Sequence, residues 1–177
     1  MRVRSRVLAM LIGSLCLTAP ALAQGRPVEL GLDAGVSFSL SDPSVTTVNV
    51  PVQDLRAGFF VSDRVAVEPR VALSYIKVES DDALTSATAA LGALVHFSGD
   101  RSRSQPYFRP FGGLTFVDLG GSSETQFNLG GGIGVKLPVA ERMAARLEAN
   151  YAHAFETDRF ASSDAVSLTV GFSFFTR

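Results

Sequence analysis

Residues 28–40 read VELGLDAGVSFSL, and an apolar side chain falls on every even position from Val28 to Leu40. The odd positions carry Glu29 and Asp33 and otherwise only glycine or serine. Because successive side chains of a β-strand point to opposite faces, this alternation predicts a strand with one wholly apolar face. The opposite face is polar or nearly free of side chains.

The same period of two residues recurs in seven later segments of the chain. Their apolar positions begin at Leu55, Val65, Ala89, Phe108, Phe127, Ala145 and Val166. Most segments have about the 9–11 residues that a tilted strand needs to cross a bilayer. Together with the first segment they make eight, an even number. The sequence therefore predicts an all-β fold, an eight-stranded antiparallel up-and-down transmembrane β-barrel.

The second segment changes phase partway along its length. Apolar residues occupy even positions from Val48 to Val52 and odd positions from Leu55 onward. A β-bulge near Gln53 or Asp54 would restore the register. Alternatively, the upper part of this strand projects beyond the membrane.

The connections between segments fall into two sets. If the first strand starts on the periplasmic side, outer loops lie near residues 41–47, 79–86, 118–125 and 156–164. Inner turns then lie near residues 62–64, 99–106 and 138–142, and the second of these is longer than periplasmic turns usually are. The outer loops are rich in aspartate and glutamate.

The composition of the polar face distinguishes a membrane barrel from a soluble barrel of the lipocalin type. A soluble barrel places its apolar face inside and exposes long polar side chains to water. Here the polar face is dominated by glycine, alanine and serine, which suit the narrow interior of an eight-stranded barrel. The almost uncharged apolar face is therefore predicted to contact lipid.

The N-terminal residues have the three parts of a secretory signal peptide. Three arginines within the first six positions precede an apolar run, and Ala21-Leu22-Ala23 forms a small-x-small cleavage site. We expect residues 1–23 to be the signal peptide and residues 24–177 the outer-membrane barrel domain; an uncleaved anchor helix is the alternative. Cys16 is the only cysteine, so the mature barrel would have neither a disulfide nor a cysteine metal site.

Three stretches carry a resemblance to a known family. They are the Pro-aromatic stretch 105–114 (QPYFRPFGGL), the glycine-rich stretch 127–134 (FNLGGGIG) and the aromatic last strand from Val166 to Phe175. In these features the chain resembles the OmpA-like and OmpX-like small eight-stranded outer-membrane barrels, over residues 26–177. The resemblance implies fold and outer-membrane location, and an insertion signal at the C-terminal strand. Family members often finish on phenylalanine, whereas Thr176 and Arg177 follow here.

Ten charged residues fall in the polar, inward register. They are Glu29, Asp33, Asp54, Arg56, Glu68, Arg70, Arg109, Lys136, Arg146 and Glu148. Burying an unpaired charge is costly, so these five acids and five bases are expected to form a paired network that holds the lumen closed. A gated conductance path or a proton-linked site is the alternative.

The two histidines are predicted to lie at opposite ends of the barrel. His96 faces inward near the periplasmic end, and His153 shares the apolar register near the outer rim. A lipid A-modifying barrel enzyme would need His, Ser and Glu together on the outer surface. A serine two residues after His153 would lie on the same face of the strand as the histidine, but Phe155 occupies that position. Ser162 and Ser163, in the following loop, could approach His153 instead.

The sequence therefore favours a non-enzymatic barrel with a structural or surface-interaction role, without catalytic residues, cofactor or metal. The alternatives are a narrow, porin-like transport barrel and the lipid A enzyme. We expect contacts with outer-membrane lipid, lipopolysaccharide and the barrel-insertion machinery, and a monomeric state. The mature chain would carry a net charge of −4, because three of the 16 basic residues and none of the 17 acids precede the cleavage site. Such a mildly acidic chain is a poor nucleic-acid binder.

Overall fold

The computed structural model describes residues 25–41, 46–76, 84–119 and 122–176. The predicted signal peptide lies outside the described residues. Eight strands follow one another along the chain: β1 (Val28–Ser39), β2 (Thr46–Phe60), β3 (Val65–Ile76), β4 (Leu84–His96), β5 (Gln105–Leu119), β6 (Ser122–Ala140), β7 (Met143–Ala154) and β8 (Ser163–Phe175). Among the described residues, no helix is long and apolar enough to cross a membrane.

The eight strands form one closed antiparallel barrel in sequence order. Closure comes from the pairing of β1 with β8, which runs from Glu29 opposite Phe175 to Ser39 opposite Ala165. Every strand then has two neighbours, so the ladders have no open edge. In hydrocarbon this closure is what allows strands to satisfy their backbone N–H and C=O groups. The predicted fold class is confirmed.

The two faces of the strands have the predicted orientation. In β1, Leu30 and Leu32 are exposed on the outside, whereas Glu29 and Asp33 are buried inside. The same division holds in β6, where Ile133 is exposed and Lys136 is buried. A soluble barrel would show the reverse arrangement. The apolar outer face is the face predicted to contact lipid.

The register irregularity in β2 lies where the phase change of the sequence indicated. Asp33 pairs with Asp54 and Gly35 pairs with Asn49, so two steps along β1 correspond to five along β2. The extra residues lie between Asn49 and Asp54. An irregularity therefore lies next to the predicted bulge position, but it contains three extra residues instead of the single extra residue of an ordinary bulge.

One predicted loop is wrong. The sequence indicated an outer loop over residues 118–125, but β5 continues to Leu119 and β6 begins at Ser122. Pairing between Asp118 and Ser123 and between Val117 and Glu124 extends the ladder through the region. The polar side chains of this region indicated a loop, but the residues that carry them are paired with each other in the antiparallel ladder. Residues 120–121 are Gly-Gly, a dipeptide typical of two-residue hairpin connections. Other boundaries shift by about one to three residues.

The two ends of the barrel carry different connections between strands. The turn end carries residues 61–64, 97–104 and 141–142 together with Val28 and Phe175, and the loop end carries the four other connections. At the turn end the lumen holds a small apolar cluster. Phe60, Leu94 and Tyr107 are buried there, and Phe175 packs against them. Sequence periodicity did not predict this cluster, because its side chains share the polar register.

Candidate functional site

The lumen charge network consists of the ten predicted residues Glu29, Asp33, Asp54, Arg56, Glu68, Arg70, Arg109, Lys136, Arg146 and Glu148. All ten point into the barrel and are buried, with at most 9% of any residue exposed. They come from β1, β2, β3, β5, β6 and β7. The network occupies the half of the lumen nearer the turn end, above the apolar cluster.

The layer nearest the turn end is centred on Glu29. One carboxylate oxygen of Glu29 accepts a hydrogen bond from Arg56 Nη1 at 2.6 Å, and the other accepts one from Lys136 Nζ at 2.5 Å. Arg56 Nε also donates to Asp33 Oδ2 at 2.9 Å, and its Nη2 donates to Ser173 Oγ at 2.9 Å. Arg56 thus joins three strands through one guanidinium group.

The middle layer joins β3 to β7 across the lumen. Arg146 Nη1 donates to Glu68 Oε2 at 2.6 Å, and Arg146 Nη2 pairs with Glu148. The Tyr107 hydroxyl accepts from Arg146 Nε at 2.6 Å and donates to Glu148 Oε2 at 2.5 Å. Tyr107 was not among the predicted site residues. Its position two residues before Arg109 in the same register is the signal that could have identified it.

The layer farthest from the turn end gathers around the Glu148 carboxylate. Glu148 Oε1 accepts from Arg70 Nη2 at 3.0 Å and from Arg109 Nη2 at 2.8 Å. Arg70 also contacts Asp54 at 3.3 Å, and Arg109 Nη2 donates to Asn150 Oδ1 at 2.8 Å. Glu148 therefore accepts hydrogen bonds from three arginines and one tyrosine, more hydrogen-bond donors than any other carboxylate in the described network has.

Glycines in the inward register provide the space for these long side chains. A Cβ atom at Gly31 would overlap the guanidinium of Arg56, and one at Gly171 would overlap the backbone carbonyl of Leu32. At Gly134, part of the glycine-rich stretch of β6, a Cβ atom would overlap the Tyr107 hydroxyl. The glycine-rich stretch thus serves close packing inside the barrel, as the sequence indicated for glycine in a barrel strand.

The network balances five acids against five bases, and ion pairs link them into one continuous set. Two buried atoms of the network, Asp33 Oδ1 and Arg109 Nη1, have no hydrogen-bond partner among the described residues. No group of three or more potential metal ligands occurs in the part of the chain that the structure describes. The arrangement pairs each acidic side chain of the network with at least one basic side chain inside the lumen.

Beyond the network, the lumen is lined mainly by small side chains. A cavity of about 120 Å³ has Asp54, Arg70 and Arg109 at its floor. Its walls are formed by Ala72, Thr88, Ala90, Phe111, Asn150, Ala152, Ser167 and Thr169. The charges therefore close one half of the lumen, and the half toward the loop end keeps free space.

His96 and His153 lie at opposite ends of the barrel, as predicted. His96 is buried at the turn end, where its ring stacks on Phe60 with 5.6 Å between ring centroids. Its Nδ1 lies 3.1 Å from the carbonyl oxygen of Arg64. The two histidines therefore cannot form one catalytic or metal-binding pair.

His153 lies on the outer surface at the loop end, next to an aspartate that the sequence analysis did not connect with it. His153 Nδ1 is 2.9 Å from Asp164 Oδ1, and the Tyr151 hydroxyl donates to the same oxygen at 2.5 Å. Phe155 packs edge-on against the His153 ring. Asp164 is the direct cross-strand partner of His153, so the register of β7 and β8 is the information that would have revealed the contact.

Comparison with known proteins identifies the architecture independently of the site. The family model described as "Outer membrane protein beta-barrel domain" matches residues 9–174. The chain is similar to the crystal structure of Neisserial surface protein A, with 22% identity, a TM-score of 0.63, and coverage of 83% of this chain and 96% of that one. No curated protein matches the chain by sequence.

Two further solved structures show the same fold. Ail, the attachment invasion locus protein of Yersinia pestis, has 14% identity and a TM-score of 0.52, with 84% of this chain and 97% of that chain covered. The outer membrane protein OprG from Pseudomonas aeruginosa has 16% identity and a TM-score of 0.53, with 85% and 95% covered. At these identities the likeness concerns the fold alone.

Proposed function

Because the chain belongs to the outer membrane protein beta-barrel domain family and is located in the bacterial outer membrane, we propose that it acts there as a closed, non-enzymatic barrel with a structural or surface-interaction role. The observation that carries this proposal is the lumen charge network, which fills one half of the lumen with paired side chains. The proposed partners are outer-membrane lipid and lipopolysaccharide around the barrel and the insertion machinery during assembly. The proposed state is a monomer.

A closed lumen is the expected consequence of the network's geometry. Eight strands leave an interior just wide enough for side chains. In this interior Arg146 and Arg70 reach from their own strands to carboxylates on strands across the barrel. Separating buried pairs would leave charges on both sides without partners, so spontaneous opening would be infrequent. A transport role would require that these pairs separate together.

Conductance across a planar lipid bilayer tests the closed lumen. The purified protein should give no steady channel currents. A variant that removes both sides of the middle layer, Arg146→Ala with Glu68→Ala, should produce small channels if it still folds as judged by heat-modifiable gel migration. Steady open currents from the unmodified protein would favour the pore alternative and contradict the proposal.

The short connections at the loop end favour a structural role over a role as a large adhesive surface. The connections are residues 40–45, 77–83, 120–121 and 155–162, which leave little chain for a large adhesive domain. A structural role predicts that a deletion strain becomes more sensitive to detergent and bile salts. Complementation by the unmodified gene should restore resistance. Complementation by a gene in which Gly-Ser residues replace the 155–162 connection tests whether the surface of the loop end is needed. Unchanged sensitivity of the deletion strain would contradict a structural role.

The absence of enzymatic activity is part of the proposal. A hydrolase of the outer leaflet needs a nucleophile activated by a base within hydrogen-bond reach. His153 is oriented by Asp164, but no serine or glutamate of the described residues hydrogen-bonds to it. Incubation of the protein with lipid A and phospholipids, followed by thin-layer chromatography, should show no product. Hydrolysis that is lost in His153→Ala would establish the enzyme alternative.

A further inference from the structure

The longest connection at the turn end is the one between β4 and β5. It comprises residues 97–104, whereas the other two connections at this end comprise residues 61–64 and 141–142. The turns at the periplasmic end of outer-membrane barrels are usually short, so this connection is longer than the joining of two strands requires. Its contacts show that the additional residues lie across the mouth of the lumen.

Arg101 reaches from this connection into the mouth. Its guanidinium carbon Cζ lies 4.2 Å from the centroid of the Phe60 ring. Phe60 is fully buried and belongs to the apolar cluster that fills the lumen at the turn end. The Nε atom of Arg101 is itself buried, with no hydrogen-bond partner among the described residues. Arg101 therefore covers the cluster through a contact between a cation and an aromatic ring.

The rest of the connection is fixed on both sides of Arg101. On one side, the Gln105 side chain donates from Nε2 to the carbonyl oxygen of Ser98 at 3.1 Å. On the other side, Gly99 packs against the turn between β2 and β3, where a Cβ atom added at Gly99 would lie 3.4 Å from the Cβ atom of Asp63. The connection thus extends from the start of β5 to the turn between β2 and β3, with Arg101 over the lumen.

Little free space remains at the mouth beside Arg101. A cleft of about 40 Å³ lies between the connection 97–104 and the turn 141–142, with room for only a few water molecules. Lys136 lines this cleft from the inside and is 1% exposed. In the other half of the lumen, by contrast, the inward-facing residues Ala90 and Ser167 are only half-buried. The lumen is therefore covered at the turn end and keeps its free space toward the loop end.

We propose that the connection 97–104 is a lid over the turn-end mouth of the lumen, held closed by the contact of Arg101 with Phe60. The closed lid keeps water away from the ion pair of Lys136 with Glu29, which belongs to the layer of the lumen charge network nearest the mouth. Opposite charges attract each other more strongly where water is excluded.

This inference rests on the proposed function, because it takes the lumen charge network as the main barrier and the lid as a weaker, outer barrier. Opening the lid breaks one contact between a cation and a ring, whereas opening the network separates several buried ion pairs. The lid is therefore expected to open more often than the network does.

Cysteine labelling tests the lid, because the predicted mature chain has no cysteine of its own. Ala144→Cys places a thiol behind the lid, at an inward-facing position that lines the cleft and is 5% exposed. The reaction with iodoacetamide, a small neutral reagent, is followed by mass spectrometry of the folded protein in a neutral detergent. We expect this thiol to react much more slowly than the thiol of Ser162→Cys, at an exposed position of the loop end.

Removing Arg101 should open the mouth to the reagent. Arg101→Ser should accelerate the reaction of Ala144→Cys about 5- to 30-fold, the factor that corresponds to the loss of a cation–π contact of about 1–2 kcal/mol. Arg142→Ser is the matched control, since it removes an exposed arginine of the turn end that does not line the cleft. It should leave the reaction rate unchanged, and heat-modifiable gel migration should show that both arginine variants fold.

Three outcomes would overturn the lid: equal rates with and without Arg101, the same acceleration by Arg142→Ser, or equal reactivity of Ala144→Cys and Ser162→Cys. Conductance across a planar bilayer separates these outcomes from a failure of the proposed function. Arg101→Ser should still give no steady current, because the lumen charge network remains. Current in this variant but not in the unmodified protein would support the lid and contradict closure by the network.

Discussion

The Glu148→Gln variant is the sharpest test of the lumen charge network. Glutamine has nearly the same volume as glutamate, so the variant removes a charge without creating a cavity. In the native barrel this carboxylate accepts hydrogen bonds from Arg70 at 3.0 Å and from Arg109 at 2.8 Å, pairs with Arg146, and accepts from the Tyr107 hydroxyl at 2.5 Å. After the substitution, three arginines share one acceptor oxygen, and the buried network has one uncompensated positive charge.

The expected loss in the free energy of unfolding is about 3–5 kcal/mol, the cost of breaking a buried pair by removing one partner. The substitution should not change the denaturant dependence, because the surface exposed on unfolding is the same. The chain has no tryptophan, so unfolding in lipid vesicles is best followed by gel migration of unheated samples over a urea series. The folded and unfolded forms then appear as separate bands.

Two matched variants define the outcome for Glu148→Gln. Glu156→Gln makes the same chemical change at an exposed position in the connection 155–162 and should leave the urea midpoint unchanged. Glu148→Gln combined with Arg109→Met removes charge from both partners, and its loss should be smaller than the sum of the single losses by about 0.5–3 kcal/mol. If Glu148→Gln is as stable as Glu156→Gln, the buried charges are individually dispensable and the reasoning is refuted.

The same unfolding assay tests two other parts of the lumen, and NMR tests the connection 97–104. Gly171→Ala should lower the free energy of unfolding by about 1–3 kcal/mol, because the added Cβ would overlap a backbone carbonyl of the neighbouring strand. Gly131→Ala, whose Cβ would have no atom nearer than 3.5 Å, should be nearly neutral, and equal losses in the two variants would contradict the packing argument. Tyr107→Phe should cost about 1–3 kcal/mol because a buried guanidinium loses its acceptor, and an unchanged midpoint would show that the hydroxyl is not needed. Hydrogen bonds from the side chain and the backbone of Ser102 lower the pKa of Asp100, so Ser102→Ala should raise that pKa in a carboxyl NMR titration. An unchanged pKa would show that the Ser102 hydroxyl does not donate to the Asp100 carboxylate.

Much of the fold could be predicted from the period of two residues alone. The alternation in β1 assigns each side chain to a face, and the phase change before Leu55 locates the irregularity in β2. The inward position of the ten charges follows from the same rule, since an outward charge would face lipid. What alternation cannot supply is an end to each strand, which is why the extension of β5 and β6 to Leu119 and Ser122 was missed.

The pairing of the charges could not be predicted for a different reason. Arg70 and Glu148 are separated by 78 positions in sequence and lie on strands β3 and β7, which are not neighbours in the barrel. Their contact depends on the relative height of every intervening strand, and no local pattern records that height. The contact between His153 and Asp164 was missed for a simpler reason, since it follows once the register of two adjacent strands is known.

The buried charges also explain why the barrel keeps one register. Replacing a buried ion network by well-packed apolar residues is often neutral or stabilising, so the network is weak evidence of added stability. However, a slip of one residue along a strand turns all of its side chains to the opposite face. For β7 such a slip would turn Arg146 toward lipid, at a cost that falls from about 2–4 kcal/mol at the bilayer midplane to about 0–1 kcal/mol near the interface. It would also turn Glu148 outward and leave the arginines of the other strands without acceptors inside. The network therefore raises the free energy of misregistered barrels far more than it lowers that of the correct barrel. Glycine-rich strands specify their register weakly, so this chain requires such a difference.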